Sequence, residues 1–291
     1  MAFAALLRIA LLPTILWDFL IGARLAGMWR FENDLLALAA LLCFYHGGMV
    51  LNDWRDVRED RAHGRKRPLA DGRISPLVGL VFGLGLIATG YYCSTLVSPE
   101  LAAAAPWLAG IILLYDFSSG IVRQMAGPWL LAIARALSLA WPMIAVFGLN
   151  AAFTPSSFTP YACYGIFFLS ISRIAQKEEE GILGMRALAF LSAAALSPLV
   201  LAYGSGVQWW FLLPWVLFAA WLIPPGWRLR HEVWEPHQVQ AIVRHSLSSA
   251  PLVLGVCLVA AMQRPQDMIL ALAAPLIMML VRQMARAFPP E

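Results

Sequence analysis

Charge is what this sequence has least of. Asp, Glu, Lys and Arg make up only 13% of its 291 residues, about half of the ~25% common in soluble domains. Hydrophobic residues supply 60%, and the mean hydropathy is +0.70. Those values exclude an ordinary water-soluble globule and predict an integral membrane protein. No Ser/Gly-rich linker, internal repeat or low-complexity segment interrupts the apolar stretches. One membrane domain over residues 1–291 is therefore expected, in place of the roughly two soluble domains the length would suggest. No C-x-x-C pair occurs. Cys43, Cys93, Cys163 and Cys257 lie far apart in apolar stretches, which predicts buried thiols and excludes a disulfide framework or a zinc ribbon. The period-two alternation of a barrel is also missing, so the membrane segments are expected as helices. The net charge of +4 comes from arginines in loops and gives no reason to expect nucleic acid as a partner.

Apolar stretches of spanning length fall near 3–24, 34–52, 76–97, 101–117, 127–149, 159–175, 187–203, 207–225, 246–263 and 268–284. This predicts an all-α, polytopic membrane bundle of nine or ten transmembrane helices. The first stretch reads as a span and not a cleaved leader, because Pro13 and Asp18 interrupt it and no small-residue cleavage site follows. Ser98-Pro99, Thr154-Pro155, Gly204-Ser205-Gly206 and Pro224-Pro225-Gly226 read as turns. With ten spans and the N-terminus inside, seventeen bases fall on the cytoplasmic side. Only Arg24, Arg30 and Arg264 fall outside, a clear positive-inside bias. The polar, amphipathic run from Trp227 to Ser249 is expected as an interfacial helix. Its His231, His237 and His245 lack ligand spacing.

The charge that is present is concentrated. Asn52 to Ser75 carries Asp53, Asp56, Glu59 and Asp60 among seven bases, directly after an apolar helix. If that helix continues, steps of about 100° place Asp53, Asp56 and Asp60 within roughly 60° of one another, with Asn52 on the adjoining edge. Such a carboxylate stripe beside cations suits Mg²⁺ and phosphate. Two further polar groups follow apolar spans: Tyr115-Asp116 with Arg123, and Gln176-Lys177-Glu178-Glu179-Glu180. The topology predicted from the bases brings all three to one membrane face. Each could also be a solvated helix end beside anionic headgroups. For Asn52–Ser75 that reading leaves aspartates on one face unexplained. Asp18 and Arg135 are ionisable residues at membrane depth and read equally as a polar wall or as buried structural groups. His46 reads as a helix-contact histidine.

These residues resemble the UbiA superfamily of intramembrane prenyltransferases. Its first motif, N-D/Q-x-x-D-x-x-x-D followed by R-P-L-x-x-G-x-[IV]-S, is matched by Asn52, Asp53, Asp56 and Asp60, then Arg67-Pro68-Leu69 and Gly72-Arg73-Ile74-Ser75. Its second, D-x-x-x-D-R-x-x-G-[VI]-[RK]-[TS]-L, is matched in frame by Gln176 to Leu188. There Glu180, Gly184, Arg186 and Leu188 fit, while Gln176 stands where the family has an aspartate. Tyr115-Asp116, Arg135-Ala136-Leu137 and Gln238-Val239-Gln240 resemble an EboC-like bacterial branch, in which Asn is usual at Ser138.

The resemblance implies Mg²⁺-dependent transfer of a prenyl group from an isoprenyl diphosphate to a small aromatic or lipophilic acceptor within the membrane. It implies catalytic Asp53, Asp56 and Asp60, and metal ligation by those three with Asn52, Glu180 and Gln176. Arg67, Arg123 and Lys177 are implied to bind the diphosphate. A bacterial inner membrane is the implied location, with the polar loops cytoplasmic. Since a Gln amide supplies no charge, two readings stay open: an enzyme with one well-held Mg²⁺ and Glu180, or a non-catalytic prenyl-lipid binding or transport protein. A phosphatidyl-type transferase is excluded by the lack of a D-G-x-x-A-R motif.

Overall fold

The computed structural model of the chain describes residues 2–27, 31–203, 209–262 and 264–287. Arg30 and the Gly204-Ser205-Gly206 turn lie outside them. Fourteen α-helices follow one another among the described residues: α1 (Ala2–Leu6), α2 (Leu12–Leu25), α3 (Phe31–Ala62), α4 (Pro76–Val97), α5 (Pro99–Phe117), α6 (Gly120–Phe147), α7 (Leu149–Ala152), α8 (Pro155–Ala175), α9 (Gly184–Leu196), α10 (Leu212–Leu222), α11 (Pro224–Arg228), α12 (Pro236–Ser248), α13 (Ala250–Ala260) and α14 (Pro265–Ala287). The expected all-α, polytopic membrane bundle holds.

Seven described segments are long and apolar enough to cross a membrane: Asp34–Ala62, Pro76–Val97, Pro99–Phe117, Gly120–Phe147, Gly184–Tyr203, Pro236–Ala260 and Pro265–Ala287. This is fewer than the ten stretches read from hydropathy, for local reasons. Stretch 3–24 breaks at Arg8, whose backbone is left-handed (φ 47°, ψ 52°) and leads into a 3-10 turn, Ile9–Leu11. Stretch 207–225 yields only the eleven-residue α10. Stretch 159–175 lies in α8, which is not among the seven, while the amphipathic run and the ninth stretch join into one segment, Pro236–Ala260. Pro224 and Pro225 open the short α11 instead of making a turn, because proline suits the first helical turn.

A feature without a sequence signal is a two-residue antiparallel ladder, β1 (Ile182–Leu183) with β2 (Val233–Trp234). It is too short for a hydrophobic period to register. Gly181 (φ +81°) turns the chain into it, and a Cβ there would come within 2.5 Å of the Trp234 carbonyl oxygen.

The chain divides into two compact units. One comprises residues 1–123, 140–152 and 280–291; the other comprises 124–139 and 153–279. In the first, α3 and α4 approach closely because Gly83 and Gly90 of α4 lack side chains. A Cβ on Gly83 would come within 2.9 Å of Leu51, and one on Gly90 within 3.0 Å of the Ala40 carbonyl oxygen. Beneath the charged end of α3, a buried cluster of Leu6, Val50, Val57, Leu69 and Ile74 ties the N-terminal segment and the loop after α3 to the same helix. Leu69 and Ile74 thereby carry the loop's bases back over α3. In the second unit Trp234, fully buried, donates its indole N–H to the Leu229 carbonyl and anchors the chain between α11 and α12.

Candidate active site

The last turn of α3 is shaped by its own sequence. Gly64 takes φ +65°, and the N–H groups of Gly64 and Arg65 donate to the carbonyls of Arg61 and Asp60 at 3.2 and 2.9 Å. This is a Schellman ending, which only glycine adopts without strain. It reverses the chain, so Arg65 reaches back to Asp60 Oδ1 at 3.0 Å and Arg67 to Asp60 Oδ2 at 2.9 Å. The loop is then fixed by Arg61, whose Nε donates to the Ala70 carbonyl, and by Arg73, which bonds both Asp71 and the Lys66 carbonyl. Ser75 caps α4 by accepting the Val78 N–H.

The expected stripe exists. Asp53 and Asp60 are buried, Asp56 is half-buried, Arg55 is half-buried and Arg58 is exposed. Each stripe carboxylate meets a guanidinium. Arg8 donates to Asp53 Oδ1, and Arg67 approaches the same oxygen at 3.4 Å. Arg123, near the start of α6, forks across two residues: Nη1 to Asp56 Oδ1 at 2.7 Å, and Nη2 to Asn52 Oδ1 at 2.5 Å and Asp56 Oδ2 at 3.3 Å. Its guanidinium also lies over the Tyr115 ring, 4.9 Å from the centroid. Asn52, Asp53, Asp56, Asp60, Arg67 and Arg123 are thus brought together. Their hard oxygen donors on one helix face fit Mg²⁺, and planar guanidinium forks fit a diphosphate.

The N-terminal segment contributes a residue that sequence reasoning missed. Arg8 was read only as a cytoplasmic charge, yet it is the single ionised side chain before Asp18 and it pairs with Asp53. The neighbouring Leu7 carbonyl, which can only accept, receives a hydrogen bond from the Nδ1–H of His46 at 2.7 Å. That is the helix-contact role read for His46. Asp116, at the end of α5, is 2% exposed and its Oδ1 has no hydrogen-bond partner.

The second polar run is different in kind. Gln176 caps α8, donating from Nε2 to the Gln124 carbonyl at 2.6 Å, and its Oε1 faces Arg173 Nη1 at 3.4 Å. Arg173 also reaches the Met125 carbonyl at 3.5 Å. Both heteroatoms of the amide are therefore engaged, Nε2 holding the end of α8 to α6 and Oε1 facing Arg173 of α8 itself. Lys177 bonds Glu180 at 2.5 Å in an exposed i,i+3 pair. This run fits a second Mg²⁺ poorly: the one amide oxygen already faces a cation, and the carboxylate is solvated. Arg135 stacks over Phe168 at 4.5 Å, and Asp18 is buried in α2. Cys163 and Cys257 are buried free thiols with sulfurs 3.6 Å apart; Cys43 and Cys93 are half-buried. His237 lies 3.3 Å from Glu235, and His245 stacks on Trp221.

The sequence profile of the UbiA prenyltransferase family matches residues 11–247. A digeranylgeranylglyceryl phosphate synthase of Sulfolobus acidocaldarius is 29% identical over 165 residues, 56% of this chain and 57% of that protein. Polyprenyl transferase dpasC of Apiospora sacchari is 31% identical over 96 residues, 30% of this chain and 29% of that one. The chain thus matches little more than half the length of the first and under a third of the second. A solved digeranylgeranylglyceryl phosphate synthase structure superposes with TM-score 0.63 at 18% identity, covering 89% of this chain and 97% of that one. A UbiA homologue from Archaeoglobus fulgidus bound to DMAPP and Mg²⁺ superposes with TM-score 0.54 at 14% identity, covering 98% and 99%. At those identities the likeness is one of fold.

Proposed function

The chain belongs to the UbiA prenyltransferase family, and on that premise we propose that it transfers a prenyl group from an isoprenyl diphosphate to a small aromatic or lipophilic acceptor within the membrane, using Mg²⁺. The observation that carries this is the meeting of Asn52, Asp53, Asp56 and Asp60 with Arg8, Arg67 and Arg123 at the end of one membrane helix. Relatives named as digeranylgeranylglyceryl phosphate synthase and polyprenyl transferase support the reaction class.

Asn52, Asp53, Asp56 and Asp60 would hold the ion, with Glu180 and Gln176 at most weak contributors. Bound there, Mg²⁺ would neutralise charge on the departing diphosphate. Arg67 and Arg123 bind diphosphate oxygens by exchanging carboxylate for phosphate partners, an exchange their planar forks allow without repositioning the backbone. Lys177 offers a further, exposed ammonium. The C1–oxygen bond of the substrate breaks with its electron pair on the diphosphate oxygen. The acceptor then forms a bond to C1 and gives up a proton. Fixed guanidinium charge where negative charge develops is the residues' main contribution to rate. The distribution of bases supports a cytoplasmic side for the polar loops, and the family resemblance supports a bacterial inner membrane. The EboC-like branch is proposed on Tyr115-Asp116, Arg135-Ala136-Leu137 and Gln238-Val239-Gln240.

A second reading, a non-catalytic prenyl-lipid binding or transport protein, is favoured by one observation: Gln176 is engaged in helix contacts and brings no charge. Purified protein with Mg²⁺ and a panel of prenyl diphosphates and acceptors separates the two. Diphosphate release that is lost in Asp56→Ala is expected. Tight binding of prenyl diphosphate with no release across the panel would establish the second reading instead.

A further inference from the structure

The end of α5 carries an acid that the roles assigned so far do not use. Ile112 of α5 lies against Gly48 of α3, where an added Cβ would come within 3.1 Å of its Cγ2. Further along both helices, the rings of Phe117 and Trp54 meet with centroids 5.5 Å apart. The two helices therefore run the same way past each other. One turn beyond the Gly48–Ile112 contact stand Asn52 on α3 and Asp116 on α5, which puts Asp116 on the tier of the carboxylate stripe.

Asp116 is 2% exposed, and its Oδ1 accepts no hydrogen bond. Its charged neighbours are Arg123, Asp56 and Asp53. The Arg123 guanidinium already bonds Asp56 and Asn52. A bare carboxylate oxygen among other carboxylates, away from water, is unfavourable unless a cation reaches it. In the second polar run, by contrast, Glu179 and Glu180 are exposed, Glu178 is half-buried and Gln176 is neutral. Asp116 therefore adds buried negative charge beside the buried Asp53 and Asp60 at the end of α3.

We infer that Asp116 is a further ligand of the divalent-cation site at the end of α3, supplying from α5 the carboxylate that Gln176 does not supply from the second run. This rests on the Mg²⁺ reading above and extends it to a residue outside both motifs. A ligand and a structural acid respond oppositely when the charge is removed. If Asp116 serves a cation, Asp116→Asn relieves repulsion in the metal-free protein; if it holds the fold through charge, the same change weakens it.

The test uses the full chain in lipid nanodiscs, with Mn²⁺ alone as the probe. Mn²⁺ binding is followed by electron paramagnetic resonance, and thermal unfolding is measured in EDTA and in Mg²⁺. Asp116→Asn is expected to bind Mn²⁺ at least about tenfold more weakly, a change of about 1.4 kcal/mol. It is expected to unfold in EDTA no earlier than wild type and to show a smaller Mg²⁺-induced rise. Asp116→Glu is expected to recover part of the Mn²⁺ affinity. Wild-type Mn²⁺ affinity in Asp116→Asn, or earlier unfolding of that variant in EDTA, overturns the assignment. Failure of the wild-type chain itself to bind Mn²⁺ overturns the Mg²⁺ reading as well, and so is distinguishable from failure of Asp116 alone.

Discussion

At the scale of single residues, the candidate site is a set of paired charges whose partners come from distant sequence positions. Arg123 is 67 residues from Asp56, and Arg8 is 45 from Asp53. Removing one member leaves the other desolvated, and that loss exceeds the net worth of the pair. Arg123 and Asp56 keep 23% and 13% of their side-chain exposure, so water screens part of the penalty. Arg123→Leu is therefore expected to destabilise the protein by about 1–3 kcal/mol and to weaken inorganic diphosphate binding at least about tenfold. Calorimetry and thermal unfolding of the same preparation measure both. Unchanged diphosphate affinity would remove Arg123 from the clamp. Arg8 shows why pairing was only partly legible. Its isolation among apolar residues was visible in the sequence, but its left-handed backbone and its partner were not.

At the scale of elements, glycines decide how closely segments approach. Gly83 and Gly90 let α4 lie against α3 and so hold Leu51, the residue before Asn52, in place. Gly181 performs the other task, turning the chain at φ +81° beside the Trp234 carbonyl so that β1 can pair with β2. An alanine there meets both left-handed strain, about 1–2 kcal/mol, and a steric overlap. Gly181→Ala is expected to lose at least about 1 kcal/mol in unfolding measurements and to raise proteolytic cleavage between α8 and α9. An unaltered digestion pattern would argue that the ladder does not hold that segment. Gln176 acts at this scale too, because its Nε2 joins the end of α8 to the Gln124 carbonyl at the start of α6.

For the whole molecule, the scarcity of charge and its distribution are the governing facts. Exposed apolar side chains such as Leu77, Val81 and Leu84 on α4, and Ile269, Leu272 and Leu276 on α14, suit a hydrocarbon surround. On the positive-inside bias we propose that the loop after α3 is cytoplasmic. A cysteine at the exposed Lys66, in a background lacking the four native thiols, is expected to react with a membrane-impermeant maleimide only in inside-out vesicles. Labelling in right-side-out vesicles would reverse the topology and with it the side from which diphosphate arrives.

The sequence by itself determined the membrane class, the helical architecture and the carboxylate stripe. Each depends on composition or on a local period, and Asp53, Asp56 and Asp60 share a face on any continuing helix. It offered ten stretches where seven described segments are long and apolar enough to cross a membrane, because hydropathy does not register a single left-handed residue such as Arg8 or an eleven-residue helix such as α10. Only the tertiary structure decided which bases meet which acids, that Gln176 holds α8 to α6, and that Asp116 of α5 stands level with Asn52. Those facts depend on how helices far apart in the chain come into register, which Gly48, Gly83 and Gly90 permit by close packing and which no spacing within one segment encodes.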